Sequence, residues 1–168
     1  MARSRSIDGA LAGITGGLVF GLMMQMMKAP APGGGETPMM AMVAMVVKSD
    51  SLLIGWLYHL FNSAVIGGLF GFFLGRRVHS PARGLAWGAA WGALWWVLGG
   101  LILMPVLLGM EPFASLRMPP MRPVAMGSLA GHLLYGLILG WVFARLGGDV
   151  SLRTVTESSD RDRGGPLR

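Results

Sequence analysis

The sequence contains no cysteine among its 168 residues. Disulfide bonds, cysteine-ligated zinc, iron–sulfur clusters and thiol catalysis are therefore excluded. Charged residues are scarce as well, at 13%, whereas hydrophobic residues make up 53% and the mean hydropathy is +0.57. A chain of this size with so little polar surface does not cover a water-soluble globule, so the composition argues against a soluble enzyme.

Recognised catalytic motifs are also missing. A membrane-embedded enzyme would need an acid and base pair, a nucleophile or a metal triad at helical spacing, and the sequence has none of these. We therefore predict a protein that is not an enzyme. The formal charge of +6 does not indicate a nucleic-acid partner, because twelve of the fourteen basic residues are arginines scattered through loops and tails.

Four uncharged, glycine-rich apolar stretches run through nearly the whole chain. A hydrocarbon core about 30 Å thick needs roughly 20 apolar residues per helix and satisfies no backbone polar group, so each stretch predicts a transmembrane helix. The predicted fold is an all-α membrane protein surrounded by the lipid bilayer, with one transmembrane domain over residues 1–146 and a disordered polar tail over 147–168. The spans are predicted at about residues 7–28, 51–75, 84–109 and 123–145.

The basic residues predict the orientation of these spans. Two lie before the first span, three in the loop 76–83 and five from Arg145 onward, whereas the opposite side has four. Ten against four predicts that both termini are cytoplasmic by the positive-inside rule. The first span resembles a signal peptide at its basic start, but its apolar run exceeds the usual length of about 7–15 residues.

The segment between the first two spans predicts a short outer helix. Its start, residues 29–35, is rich in Pro and Gly and should be irregular, whereas Thr37 offers an N-cap followed by Pro38 at the first helical position. A helix over about 38–48 is too short to cross, so we expect it to be interfacial or re-entrant.

Glycines four residues apart in spans one and three, with further glycines in spans two and four, predict close helix packing. A repeated pattern also predicts that the chain is a duplicated helical hairpin. The segments that start at His59 and His132 each have a small residue four positions after the histidine and a glycine eight positions after it. Because each copy contains two spans, an even number, the two copies run in the same direction as parallel repeats. So many small residues predict self-association or docking to another membrane protein. The predicted packing glycines are Gly9, Gly13, Gly17, Gly21, Gly67, Gly84, Gly88, Gly92, Gly136 and Gly140.

Three motifs, Pro38-Met-Met-Ala-Met42, Gly55-Trp-Leu-Tyr-His59 and Gly131-His-Leu-Leu-Tyr-Gly136, give the chain a likeness to known sequences. Over about residues 7–146 it resembles a group of small uncharacterised bacterial four-span membrane proteins. The resemblance implies a four-helix architecture in a bacterial inner (plasma) membrane, and it implies no activity.

His59 and His132 are the histidines inside the predicted spans, and ionisable residues there are functional candidates by default. Facing inward at similar depth, they would ligate one metal ion or a haem b. The alternative is that each imidazole hydrogen-bonds a neighbouring helix. Methionine thioethers select Cu(I), and on the predicted topology every methionine after the first belongs to the outer half, although Met also fills irregular gaps. The candidate metal ligands are His59, His132, Met23, Met27, Met39 and Met42.

Function from sequence is therefore a ranked set of hypotheses. The leading one is a non-enzymatic structural or accessory membrane subunit with no cofactor. The first alternative is a copper or haem binding protein using the paired histidines and outer methionines. The second is a small-solute channel or transporter, whose sparse polar path would use Thr15, Gln25, Asn62, Ser63 and Tyr135.

Overall fold

A computed structural model describes the backbone of residues 4–30 and 34–163 and the side chains of residues 4–30 and 34–147. Four helices in this part of the chain are long and apolar enough to cross a membrane. The prediction of an all-α protein with four membrane-length helices is therefore confirmed. The helices in chain order are α1 (Arg5–Met26), α2 (Met39–Val46), α3 (Leu52–Leu74), α4 (Pro81–Trp95), α5 (Met104–Leu107), α6 (Ala114–Arg117) and α7 (Arg122–Arg163).

Polar residues begin two of these spans. The Ser4 hydroxyl caps α1 by accepting a hydrogen bond from the Ile7 backbone N–H, and the Ser80 hydroxyl caps α4 in the same way through Arg83. Each cap satisfies one of the backbone donors that a helix start leaves unpaired. Pro81 occupies the start of α4, where its missing N–H removes no helical hydrogen bond.

Glycines bring α1 and α3 into backbone contact. A Cβ atom added to Gly9 would collide with the carbonyl oxygen of Gly67, and one added to Gly13 would collide with that of Ser63. Further along α1, Gly17 faces the Ser63 side chain and Gly21 faces the Trp56 ring. The small residues therefore permit an approach that any side chain would prevent.

The second glycine-lined contact joins α4 to α7. Added Cβ atoms on Gly84, Gly88 and Gly92 would collide with the carbonyl oxygens of Gly140, Gly136 and His132 in turn. All ten predicted packing glycines thus face another helix of the same chain. Self-association was predicted from more small residues than packing within one chain would need. In the part of the chain that the structure describes, the predicted glycines are all used in contacts within the chain, and self-association stays a prediction.

The connection between α1 and α3 differs from the prediction in two ways. Lys28–Pro30 (β1) and Glu36–Pro38 (β2) form an antiparallel pair, so the expectation of an irregular start at 29–35 is wrong for Ala29 and Pro30, and 31–33 lie outside the described residues. The outer helix begins at Met39 and ends at Val46, with no side-chain cap from Thr37.

Helix α2 is tucked against α3 with its apolar side chains buried. Met40 and Ala44 are fully buried, and an added Cβ on Gly55 would lie 2.7 Å from the Met40 carbonyl oxygen. The helix has eight residues and no polar face, so it packs on several sides. This arrangement fits the re-entrant alternative of the prediction better than the interfacial one.

The third span is not one regular helix. A π-helical segment, Trp96–Leu103, follows α4 and leads into α5. Pro105 has no N–H for the carbonyl of Leu101, and that carbonyl accepts a 2.7 Å hydrogen bond from the backbone N–H of Phe113 instead. The connecting loop is thereby tied back onto the span that precedes it.

The chain then passes through α6 and a 3-10 turn, Pro119–Met121, into α7. Backbone of α7 continues as a helix to Arg163, whereas the side chains from 148 and all of 164–168 lie outside the described residues. The predicted disordered tail over 147–168 thus includes backbone described as helix as far as Arg163, and its disorder stays a prediction.

Candidate functional site: a cavity between the long helices

His59 lies on α3 and is buried, with 8% of its surface exposed. Its Nε2 atom is 2.8 Å from the backbone carbonyl oxygen of Gly17 on α1. Because a carbonyl oxygen only accepts hydrogen bonds, the proton is assigned to Nε2 in the neutral ring. The lone pair on Nδ1 is then available as a ligand or acceptor.

His132 lies on α7 and has the opposite tautomer. Its Nδ1 atom is 2.8 Å from the carbonyl oxygen of Ser128, one turn earlier on the same helix, and 3.3 Å from the Ser128 hydroxyl. The proton is therefore assigned to Nδ1, which leaves the Nε2 lone pair available. Among the described residues, each histidine thus combines one structural hydrogen bond with one ring nitrogen that has no hydrogen-bond partner.

Phe20 on α1 connects the two histidines. Its ring packs edge-on against both imidazoles, with centroids 5.6 Å from that of His59 and 4.8 Å from that of His132. Gly131 makes room for it, since a Cβ added there would collide with the Phe20 ring. Both membrane histidines therefore lie at the same level of the bundle, against one side chain.

A cavity of about 250 Å³ opens beside this cluster, between α2, α3, the π segment and α7. Both histidines line it, together with Asn62, Ser63 and Ser128. Trp95 also lines it, and its indole N–H is buried without a hydrogen-bond partner among the described residues. The remaining lining is largely apolar, as in most small-ligand sites.

The cavity lies between α3 and the third span. Bulky side chains hold these two apart, whereas glycines let the other helix pairs come into backbone contact. Trp91 on α4 donates a hydrogen bond to the carbonyl oxygen of Ile66 on α3 at 3.2 Å, and its ring lies 6.1 Å from that of Phe70. On the other side of the bundle, α1 presents Gly16 to α7, where an added Cβ would lie 2.8 Å from the Tyr135 carbonyl oxygen. Bulky side chains thus separate one helix pair, whereas glycine lets the other close.

Methionines line both cavities. Met24, Met39 and Met104 line the large cavity. A second, smaller cavity of about 30 Å³ shares Met39 and Met104 with it and is also lined by Met42, Met110 and Met121. Two cavities with soft thioether ligands therefore lie side by side.

The structure divides the predicted metal ligands into three groups. His59, His132 and Met39 line the large cavity, and Met39 and Met42 line the small one. Met23 and Met27 line neither cavity. They pack against α7, where added Cβ atoms on Gly131 and Gly127 would collide with their methyl groups.

Several functional candidates were missed from sequence. Phe20 and Trp95 belong to ordinary apolar runs, and no sequence signal indicates that one contacts both histidines or that the other leaves its N–H unpaired. Met104 and Met121 were visible as methionines in the sequence, but only the course of the third span and of the loop after it brings them beside α2. Asp8, just before the predicted apolar run, is 5% exposed and thus buried at the start of α1.

The polar residues proposed as a solute path do not line one route. Thr15 is exposed on the outside of the bundle and bonds the Leu11 carbonyl of its own helix. Gln25 accepts a hydrogen bond from the Trp56 indole at 3.3 Å and lines neither cavity. The channel hypothesis therefore gains no support from this arrangement.

Comparison of the chain with known protein families, curated proteins and solved structures gives no match. The functional assignment accordingly depends on the geometry of the two cavities.

Proposed function

We propose that this is a non-enzymatic integral membrane protein that binds one Cu(I) ion in the large cavity through His59 and His132. The observation that carries the proposal is that both imidazoles line one cavity, each with a ring nitrogen free. Met24, Met39 and Met104 line the same cavity and supply thioether ligands. With both termini in the cytoplasm of a bacterial cell, the methionines would lie toward the outer face of the plasma membrane.

The ligand set favours a soft monovalent cation over other metals. No carboxylate of the described residues lines the large cavity, so hard divalent ions lack the charged oxygen ligands that they prefer. Structural zinc sites use four ligands drawn from Cys, His and carboxylates, and two histidines alone do not meet that need. Imidazole and thioether ligands are neutral and suit Cu(I), whose single charge is also less costly to bury than two.

Haem b is the other cofactor that paired histidines predict, and the same cavity supports it less well. A haem with two histidine ligands needs one imidazole on each face of a flat macrocycle. Here the Phe20 ring packs against both imidazoles, and the Nε2 atom of His59 is bonded to Gly17. Binding haem would require both contacts to be replaced.

The leading sequence hypothesis, a structural or accessory subunit, is compatible with copper binding. It was argued from a surplus of glycine ridges, whereas the predicted glycines pack against other helices of the same chain. We therefore place metal binding first and leave association with a partner as an open property of the same protein.

We also infer that the chain is a duplicated helical hairpin with two parallel copies. Equivalent contacts support this. Gly13 meets the carbonyl of Ser63, four residues after His59, and Gly88 meets that of Gly136, four residues after His132. The glycines four residues earlier, Gly9 and Gly84, each meet the residue eight after a histidine. A duplication would explain why the two histidines lie at one level.

The test is a Cu(I) titration of detergent-purified protein against a competing chelator. Wild type should bind Cu(I) at the histidine cavity, and His59→Gln or His132→Gln should weaken that binding about tenfold or more, which corresponds to about 1.4 kcal/mol. His79→Gln is the matched control, because His79 is exposed and lies outside both cavities.

Three outcomes separate the hypotheses. Affinity that falls in both cavity variants and holds in His79→Gln supports the proposal. A Soret band that depends on His59 and His132 would replace copper with haem. Equal Cu(I) affinity in wild type and in both cavity variants, all with unchanged helicity, would contradict the proposal and leave the imidazoles as packing residues.

A further inference from the structure

The small cavity is lined by five methionines that come from separate segments of the chain. Met39 and Met42 belong to α2, Met104 begins α5, Met110 lies in the loop after it and Met121 ends the 3-10 turn. Met39, Met42 and Met121 are each at least 93% buried, with exposed fractions of 3%, 7% and 7%. Residues far apart in sequence thus meet around a space of about 30 Å³, close to that of a single water molecule.

Ser115 on α6 lines the same cavity, and its surroundings are unusual for a serine. It is 7% exposed, and its hydroxyl is buried without a hydrogen-bond partner among the described residues. Buried polar groups are nearly always satisfied, so an unpaired hydroxyl in a cavity wall indicates that something polar or charged belongs there.

A bound water fits this space less well than a soft cation. A buried water needs two to four polar partners, and the serines Ser115 and Ser128 are the hydroxyl-bearing residues in a wall made mainly of methionine and other apolar groups. A soft monovalent cation takes thioether sulfur as a ligand and also accepts a neutral oxygen. Methionine used only as a filler would be expected to close the space, because its flexible side chain adapts to gaps.

We infer that the small cavity is a thioether site for a soft monovalent cation, Cu(I) or Ag(I), held by Met39, Met42, Met104, Met110 and Met121 with the Ser115 hydroxyl beside it. This site is distinct from the histidine cavity and stands on its own geometry. The two sites lie next to each other, because Met39 and Met104 line both cavities. Met110, in the loop after α5, is half-buried, so the small cavity is the one of the two with a methionine from that loop. On the proposed function, the thioether site would receive the ion before the histidines do.

The experiment uses Ag(I) as the probe on the full chain in detergent, with bound ions counted by native mass spectrometry and their ligands identified by X-ray absorption. The triple variant Met42→Leu, Met110→Leu, Met121→Leu changes only methionines of the small cavity. The matched control is Met23→Leu, Met26→Leu, Met27→Leu, because these three line neither cavity. Leucine conserves volume and removes the sulfur.

Wild type and the control should each bind an ion ligated mainly by sulfur and by no imidazole, and the small-cavity triple variant should lose that ion while keeping any imidazole-ligated one. Equal binding of the sulfur-ligated ion in the control and the small-cavity variant would overturn the inference. If the triple variant does not fold, the single variants Met42→Leu and Ser115→Ala are used, and each should weaken Ag(I) binding severalfold; unchanged affinity in both would also overturn it.

The His59→Gln, His132→Gln double variant distinguishes this inference from the proposed function. A sulfur-ligated ion that remains in that variant supports the small-cavity site. If wild type shows no nitrogen ligation, the histidine proposal fails and the thioether site stands. If the double variant loses every ion that wild type binds, the small cavity is not an independent site.

Discussion

The phenol hydroxyl of Tyr135 on α7 donates a 2.9 Å hydrogen bond to the backbone carbonyl oxygen of Ser63 on α3. Ser63 in turn donates its own hydroxyl to the carbonyl of His59 at 2.8 Å, and Tyr135 lies three residues after His132. This buried bond therefore connects the two helices that carry the membrane histidines, close to both of them. It fixes their relative height across the large cavity.

Replacing Tyr135 with Phe should reduce stability modestly and loosen the histidine pair. Hydrogen bonds between membrane helices contribute about 0.6 kcal/mol on average, so a small fall in unfolding free energy is expected. Unfolding in mixed SDS and mild detergent measures it. Tyr58→Phe is the control, because no hydrogen bond of Tyr58 occurs among the described residues. Equal stability of the two variants would mean that the Tyr135 bond does not hold the helices.

Replacing Gly88 with Ala should destabilise the α4–α7 contact. The new methyl group would collide with the carbonyl of Gly136, and overpacking of this kind typically costs about 1–3 kcal/mol. Gly99→Ala is the matched control in the same span, since its nearest neighbour, the Trp95 ring, is 3.9 Å away. The melting temperature in detergent should fall for the first variant alone. A similar fall in both would indicate general sensitivity of the span.

Replacing Pro105 with Ala should release the loop that follows α5. The restored N–H at position 105 would compete with Phe113 for the carbonyl of Leu101. Hydrogen exchange at the Phe113 amide should become faster, as followed by mass spectrometry. Pro119→Ala should leave that exchange unchanged, because Pro119 begins the 3-10 turn, where a missing N–H removes no helical bond. Unchanged exchange in the Pro105 variant would contradict this explanation of how the loop is tied to the third span.

Reporter fusions test the predicted orientation. A fluorescent protein fused at the C-terminus should fluoresce, because the C-terminus is predicted to be cytoplasmic. Alkaline phosphatase inserted between Gly34 and Gly35 should be active, because that loop is predicted to lie outside. The insertion point is chosen because both glycines have positive φ and open surroundings. Those results place the termini in the cytoplasm and the methionines outside. Termini on opposite faces would contradict four membrane crossings.

Much of the fold could be predicted from sequence because the bilayer imposes simple rules. Span length follows from membrane thickness, so four uncharged runs sufficed to predict four membrane-length helices. The partners of particular glycines could not be read from their spacing, which shows only that a surface is smooth. The structure pairs Gly88 with Gly136 and Gly13 with Ser63, within the chain.

The site was predictable in part for the same reason. A histidine in an apolar run is conspicuous, so His59 and His132 could be chosen from sequence alone. The cavity beside them depends on features without a local signal: the width of Trp91 against α3, the π segment before Pro105 and the burial of α2. Which methionines reach a cavity depends on how the connecting segments fold back. Met23 and Met27, predicted as metal ligands, line neither cavity, whereas Met104, which was not among the predicted ligands, lines both.

The most direct measurement is an anomalous-difference map from crystals of the full chain soaked with Ag(I). The proposed function predicts a peak in the large cavity within bonding distance of Nδ1 of His59 and Nε2 of His132, with at least one methionine sulfur beside it. Soaked crystals that show Ag(I) only at surface methionines, with both imidazoles still packed on Phe20 and the large cavity without a peak, would contradict it.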